Sequence, residues 1–333
     1  MSDAEVRPYP LLACRLNSMA SLRAGAGLAS GRPSTVEMMS RLHGAEGITA
    51  VELNYPQHLE DEGREKIAIA AEELRLPITS VNLRFPDDPF LTGVLSHPRA
   101  DVREQAVRLV LDAADEARAL GADAVTLWLD KDGWDYPFQV DHAVVWDDLI
   151  TSLRTIVAAA PDIRFSIEYK PCDPRARSLV PNFGVTMLAV DEVGADNLGV
   201  RLDFAHMLMA RESPAQGAGL ATRRGKLFGI DFNDGYGQLD DGLMVGSMNV
   251  VETLEFLWYL QRSSYDGVVY FDTFPIREDP IAEANENVRR FRTMWDVAAA
   301  LDGDGALTEA MASHDAVASQ RLVFDAIWSV KGR

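Results

Sequence analysis

Cysteine is nearly absent: Cys14 and Cys172 are the only two in 333 residues. That excludes a disulfide framework and a thiolate-rich metal site, so any metal would be held by oxygen or imidazole ligands. Positive charge is also scarce. Lys and Arg total 32 against 51 Asp and Glu, a formal net charge of −19, and a surface so acidic repels the phosphates of nucleic acid and of anionic lipid headgroups. Neither a nucleic-acid nor a membrane partner is expected. Long apolar runs are missing, with no stretch approaching the roughly 20 residues of a membrane span. The opening MSDAEVRPYP carries acids and prolines in place of the basic start and apolar run of a secretory signal. These absences together predict a cytoplasmic protein. Missing too is any Pro/Gly/Ser-rich linker or composition break that would divide the chain into two domains.

What is there is apolar material, 47% of the residues, in an alternating arrangement. Runs rich in β-branched and aromatic residues recur at 11–17, 48–54, 78–85, 124–130, 164–170, 198–204, 226–232 and 267–274. The segments between them read as helices, most clearly 98–120, where Val102, Ala106, Leu109, Val110, Ala113, Ala117 and Leu120 recur at three- and four-residue steps between Pro98 and Gly121. Pro33, after Ser30 and Gly31, begins another helix, and Asn182 with Gly184 precedes a third. Repeated strand-helix units with parallel returns close most simply into an α/β fold of the (β/α)8 TIM-barrel type. A catalytic barrel domain is therefore predicted over 1–300. The extension 301–333 is expected to be helical and to pack on the barrel or a neighbouring subunit, since Leu307, Met311, Val317, Leu322, Val323, Ala326 and Ile327 give it an apolar side. The alternative, a doubly wound open sheet, lacks its Gly-rich phosphate loop, because LNSMASLRAGAG follows the first run.

In a barrel the chemistry sits at the C-terminal ends of the strands. Alternation turns Phe165, Ile167 and Tyr169 toward the helices and Ser166, Glu168 and Lys170 inward. By the same rule the next three strands aim Asp203, Asp231 and Asp272 at the mouth. Any one of these acids could simply cap a loop. Four converging carboxylates, however, repel by several kcal/mol at low effective dielectric unless protons or a cation neutralise them. The expected ligand set for a divalent metal is Glu168, Asp203, Asp231 and Asp272. All-oxygen ligands favour Mg²⁺ or Mn²⁺, and His206, three residues past Asp203, would shift the choice toward Mn²⁺ or Co²⁺. Lys170 is either a salt-bridge partner or a charge aimed at substrate oxygens. Arg84, Asn54, Asn82 and Trp128 also end strands, where the polar groups could bind hydroxyls and Trp128 could stack on a sugar face.

The ordered set of segments resembles the xylose isomerase-like TIM-barrel superfamily of sugar isomerases and epimerases. Glu168-Tyr169-Lys170-Pro171 is similar to the Glu-x-Lys-Pro of xylose and L-rhamnose isomerases, and Asp203-Phe204-Ala205-His206 to the Asp-x-x-His of rhamnose isomerases and ketose 3-epimerases. LWLDKDGWDYPFQ (127–139) resembles the fourth-strand loop of these isomerases, and DFNDGYGQLDDGLMVGS (231–247) resembles the rhamnose-isomerase stretch running from a metal-binding His to a cluster of aspartates. The family has His where this chain has Asp231, often Glu where it has Asp272, and a differently spaced aspartate cluster at Asp240 and Asp241. The resemblance implies a metal-dependent sugar isomerase or epimerase that moves a proton or hydride next to the carbonyl, and a homo-oligomer; with Arg223 and Arg224 at the end away from the mouth and no Gly-rich anion nest, a non-phosphorylated sugar is expected. Glu168 and Asp272 would work as base and acid, with Lys170 and His206 on substrate oxygens. A second enzymatic reading is the C-glycoside deglycosidase α subunit, a carbon-carbon lyase on 3-keto C-glycosides that works with a small β-type partner subunit and could use His142 as base. The third is a non-catalytic sugar-binding barrel.

Overall fold

The computed structural model describes residues 9–20, 32–263, 265–301, 303 and 305–329. Eight parallel strands form the centre: β1 (Leu11–Cys14), β2 (Val51–Tyr55), β3 (Ile78–Leu83), β4 (Ala124–Trp128), β5 (Arg164–Glu168), β6 (Leu198–Asp203), β7 (Leu227–Asp231) and β8 (Val268–Phe271). They neighbour one another in chain order from β2 to β8, and β8 pairs with β1. The remaining seam is sealed by the Thr49 and Ala50 N–H groups, which donate to Leu12 O at 2.8 and 3.1 Å. This is the (β/α)8 TIM barrel that the alternation predicts, with additional C-terminal helices.

Strand alternation sorts the side chains into two environments. Leu12, Leu53, Val81, Leu83, Val125, Leu127, Phe165, Ile167, Val200, Leu202, Ile230 and Phe271 are all buried in one apolar cluster with the surrounding helices. The intervening positions are largely polar yet buried: Glu52, Asn82, Thr126, Ser166, Arg201 and Asp231. They face the barrel interior, since Arg201 on β6 reaches Glu52 on β2 and Thr126 on β4, strands that are not its neighbours. A small apolar group of Ala13, Ala50 and Tyr270, with Val268 against it, completes the interior.

The helix over 98–120 runs Ala100–Ala119, with Val102, Ala106, Val110, Ala113 and Ala117 buried and Gly121 beyond its end at φ +79°, a conformation glycine adopts without a Cβ penalty. The first helix, Thr35–Leu42, starts two residues after Pro33 because Ser34 and Glu37 form a capping box; Ser30 and Gly31 lie outside the described residues, as do residues 21–27 of the segment after β1. Asn182 caps Phe183–Val193, its Oδ1 accepting from Val185 N–H at 2.9 Å. Helix Pro280–Leu301 is followed by Ala306–Ala312 and Ala316–Ser329. Leu322, Val323, Ala326 and Ile327 pack on the core, while Val317, Phe324 and Trp328 are exposed. Among the described residues no helix is long and apolar enough to cross a membrane.

Seven of the eight strands stop one to three residues short of the predicted runs, and β2 ends one residue beyond its run. β5 ends at Glu168 and β8 at Phe271, which places Lys170 and Asp272 in the loops at the mouth. A two-residue antiparallel ribbon, Gly133–Trp134 with Arg177–Ser178, ties the loops after β4 and β5 together. Position 133 must be glycine because a Cβ there would overlap the Arg177 carbonyl oxygen.

Candidate metal centre

β6 ends at Asp203, which is also the N-cap of the short helix Phe204–Met209: its Oδ1 accepts from His206 N–H at 2.9 Å. The Asp-x-x-His spacing is thus a cap-to-N3 relation that turns the imidazole back beside the carboxylate. Asn233 braces the same carboxylate, its Nδ2 donating to Oδ1 and Oδ2 of Asp203 at 3.3 and 3.2 Å and to the Asp272 carbonyl at 3.2 Å. Glu168 comes in from β5. Ligating atoms of Glu168, Asp203 and His206 all lie within 4.8 Å of one another, and all three residues are buried.

His206 Nδ1 is 3.7 Å from Glu168 Oε1 and 3.9 Å from Asp203 Oδ2, yet it has no hydrogen-bond partner. Nε2 faces Asp240 Oδ2 at 3.2 Å. In the neutral ring a proton on Nε2 serves Asp240 and leaves the Nδ1 lone pair aimed into the space shared by the two carboxylates. Three electron-rich groups around one small volume require a cation or a shared proton.

Protonation in the absence of a cation follows. Burial, reinforced by the Asp231 charge, pushes Glu168 up to about 8, and burial with the charges of Asp240 and Asp231 raises Asp203 well above the carboxylate range. Asp272, buried but beside Arg15, rises to about 6. Asp240 goes the other way: against its burial, His206 and Lys170 hold it at about 2. The oxygen-rich set with one imidazole fits Mn²⁺, Mg²⁺ or Co²⁺, and the orphaned, buried His206 Nδ1 is a free donor atom such an ion needs; Asp272 is not part of this three-residue group.

The structure does not bring Asp231 into this set. Both its oxygens are held by Arg201, Nε to Oδ2 at 2.7 Å and Nη2 to Oδ1 at 2.6 Å. Arg201 also donates to Glu52 Oε2 at 2.9 Å and Thr126 Oγ1 at 3.2 Å, and Asn82 Nδ2 donates to Glu52 at 2.9 Å. Asp231 is thereby committed to a bidentate ion pair inside the barrel, and Asn82 is drawn into the same network. Neither Arg201 nor Glu52 was anticipated. The two-residue alternation that turns Asp203 inward also turns Arg201 inward, and that signal could have found it. Gly229 leaves room for the arginine stem, since a Cβ there would sit 2.9 Å from Arg201 Cγ.

Lys170 takes the salt-bridge role, its Nζ 2.9 Å from Asp173 and 3.2 Å from Asp240. Asp240 therefore joins the mouth through both Lys170 and His206, while Asp241 Oδ2 accepts from Tyr236 N–H at 2.8 Å and shapes the loop. The Trp128 ring, proposed as a sugar platform, already has the Arg84 guanidinium 4.5 Å and Lys170 Nζ 5.7 Å from its centroid. Asn54 is buried, with its backbone N–H donating to His58 Nδ1 at 2.9 Å. Arg15, which follows β1, was also missed; its Nε lies 3.4 Å from Asp272 Oδ1. His142 stands apart from the cluster: it is exposed in the first turn of His142–Ala159, with its ring edge-on to Trp134 at 4.6 Å. The base named for the lyase reading thus lies outside the Glu168–Asp203–His206 group. A cavity of about 380 Å³ lined by Ser96, Lys131, Trp134, Asp148 and Arg175 contains none of the cluster. Of its charged residues, Lys131 pairs with Asp130, Asp148 with Arg103 and Arg175 with Asp135, while Asp141 caps the helix that follows it.

A profile of the family described as "Xylose isomerase-like TIM barrel" matches residues 41–294. The chain belongs to that family. Within it, the xylose isomerase of Thermus thermophilus is 29% identical over 222 residues, 65% of this chain and 57% of that protein; the match spans little more than half the length of that relative. Among solved structures, L-ribulose 3-epimerase superposes with a TM-score of 0.70 at 16% identity, over 87% of this chain and 96% of that one. A D-tagatose 3-epimerase-like protein gives 0.69 at 18%, over 86% and 98%. At such identities these xylose isomerase-like structures establish the shared fold.

Proposed function

We propose that the chain is a divalent-cation-dependent isomerase or epimerase of a non-phosphorylated keto or aldo sugar. The observation that carries this reading is the convergence of Glu168, Asp203 and His206 on one volume with His206 Nδ1 buried and unpartnered. The names of the relatives, a xylose isomerase and ketose 3-epimerases, support the substrate class. Glu168, Asp203 and His206, with Asp272 beside them, would hold Mn²⁺ or Mg²⁺, or Co²⁺ through the imidazole. Such an ion supplies Lewis acidity, polarising the sugar carbonyl and its neighbouring hydroxyl so that the intervening C–H becomes acidic.

The protein's own groups do the rest. Glu168 and Asp272 come from strands separated by β6 and β7, and so address the sugar from different sides. Both carboxyls are buried, placed for one to take a proton from carbon while the other returns one. Asn233 fixes Asp203. Asp240 orients the His206 ring and the Lys170 ammonium, whose charge steadies a sugar oxygen.

The test is elemental analysis of protein purified without chelator, followed by solvent-deuterium exchange into a panel of ketoses. Metal-dependent incorporation is expected. Glu168→Gln should abolish exchange and weaken metal binding by about 100-fold, comparing with the losses usual at metal sites, while the far-ultraviolet circular dichroism stays unchanged. No bound metal, together with no exchange on adding Mn²⁺ or Mg²⁺, overturns the proposal.

A further inference from the structure

Arg84 leaves β3 at the rim of the mouth, its backbone N–H donating to Tyr55 O at 2.9 Å. The side chain is half-buried and its guanidinium lies 4.5 Å from the Trp128 ring centroid. Among the described residues it makes no hydrogen bond and no ion pair. The other arginines at the mouth and in the interior are engaged: Arg15 with Asp272, and Arg201 with Glu52 and Asp231.

The charges at the mouth make the vacancy specific. Glu168, Asp203, Asp240 and Asp272 are four acids; a divalent ion, Lys170 and Arg15 match them, with the mostly solvated Asp173 set aside. Arg84 is left over. His58 is a buried, uncharged group near the same arginines. Its Nδ1 accepts from Asn54 N–H at 2.9 Å and its Nε2 lies 3.0 Å from Asn17 Oδ1, and burial followed by the charges of Arg32, Arg15 and Arg84 drives it down to about 3. A neutral sugar gives a guanidinium only hydroxyls. A carboxylate offers two oxygens in the plane of the guanidinium fork, and stacking on Trp128 holds that fork in one orientation.

We propose that the substrate of this mouth is a sugar acid, of the uronate, aldonate or ulosonate class, whose carboxylate is held by Arg84 against Trp128. The proposal rests on the isomerase or epimerase reading and narrows its substrate. Phosphate shares the anionic chemistry and can also pair with the fork; the sequence offers no Gly-rich nest to supply the further donors a phosphate takes.

The test uses Mn²⁺-loaded protein and calorimetric titration with D-gluconate and D-glucitol, an unreactive pair that differs only in a carboxylate in place of a CH₂OH. Gluconate is expected to bind at least about tenfold tighter, the worth of one charge-assisted bidentate contact. Arg84→Met should erase that preference with bound Mn²⁺ retained, and Arg84→Lys should restore part of it; Arg84→Gln replaces the Met variant if that does not fold. A preference that survives Arg84→Met overturns the assignment, because the carboxylate would then sit elsewhere, on the ion for instance. D-glucitol 6-phosphate binding more tightly than gluconate overturns the choice of carboxylate. Equal binding of gluconate and glucitol, with metal-dependent deuterium exchange still seen into a neutral ketose, overturns this inference and leaves the isomerase or epimerase reading standing. Absence of both solvent exchange and isomerised product from any ketose, aldose or keto acid overturns that reading instead.

Discussion

Two groups of buried acids meet on neighbouring strands, where Asp203 of β6 stands opposite Asp231 of β7 in the parallel register, yet the fold treats them oppositely. In the barrel interior Glu52 and Asp231 share Arg201, and every oxygen of Asp231 has a donor at hydrogen-bond distance. At the mouth Glu168 and Asp203 share only an imidazole whose facing nitrogen has no partner. An acid that carries its counter-ion with it is part of the scaffold. One that is buried without a counter-ion is waiting for a ligand, and its raised proton affinity measures the lack. Asp231 and Asp203, which look alike in sequence, are separated by that criterion.

Removing the interior cation should have the largest effect. Arg201→Met strands two carboxylates in the interior and should cost about 3–5 kcal/mol, the range for breaking a buried pair, read as a fall in melting temperature of roughly 10 °C or as insoluble protein. If the melting temperature hardly moves, the interior pairing is not structural and the contrast fails.

Single acids should then respond with opposite signs. Asp231→Asn leaves half of the guanidinium fork unpaired and should lower the stability of metal-free protein by ~2 kcal/mol. Glu168→Gln removes one of several repelling groups and should raise the melting temperature of the metal-free protein by a few degrees at pH 8. Chemical denaturation with chelator present checks both.

The same contrast has a pH signature. Glu168 and Asp272 have raised folded-state values, about 8 and 6, so between the unfolded-state values near ~4 and those figures the folded form binds more protons than the unfolded one. The stability they contribute is present in full below the unfolded values and is lost as pH rises through 6 and then 8. Metal-free protein should therefore melt progressively lower from pH 5 to pH 8.5. Mn²⁺ has to displace those protons, so its affinity should tighten by up to about tenfold per pH unit for each proton released over the same interval. Calorimetric melts and Mn²⁺ titrations at several pH values measure both.

The smallest effect is expected at a residue outside either group. His142→Ala, at an exposed first-turn position, should change stability by less than ~0.5 kcal/mol and leave Mn²⁺ binding and deuterium exchange as they were. A loss of exchange without loss of metal would return His142 to the active site and revive the lyase chemistry.

Much of this was legible in the chain itself, for a physical reason. Alternating β-branched runs and helical stripes are local patterns with periods of two and 3.6 residues, so the eight strands, the helix at Ala100–Ala119 and the cap at Asn182 follow from short windows. Strand phase also gave the inward direction of Glu168, Asp203 and Asp272, and the cap-to-N3 spacing put His206 beside Asp203. Phase tells which way a side chain points and is silent about what waits on the opposite wall. That Arg201 reaches across from β6 to Glu52 and claims Asp231 on the way, that Asp240 returns to His206 and Lys170, and that Trp128 is covered by Arg84 depend on distances between residues far apart in the chain. The sequence by itself determined the barrel and the set of inward acids, because both follow from local periodicity. Only the tertiary structure decided which acids have a built-in counter-ion and which need one supplied, because ion pairing depends on distances through space.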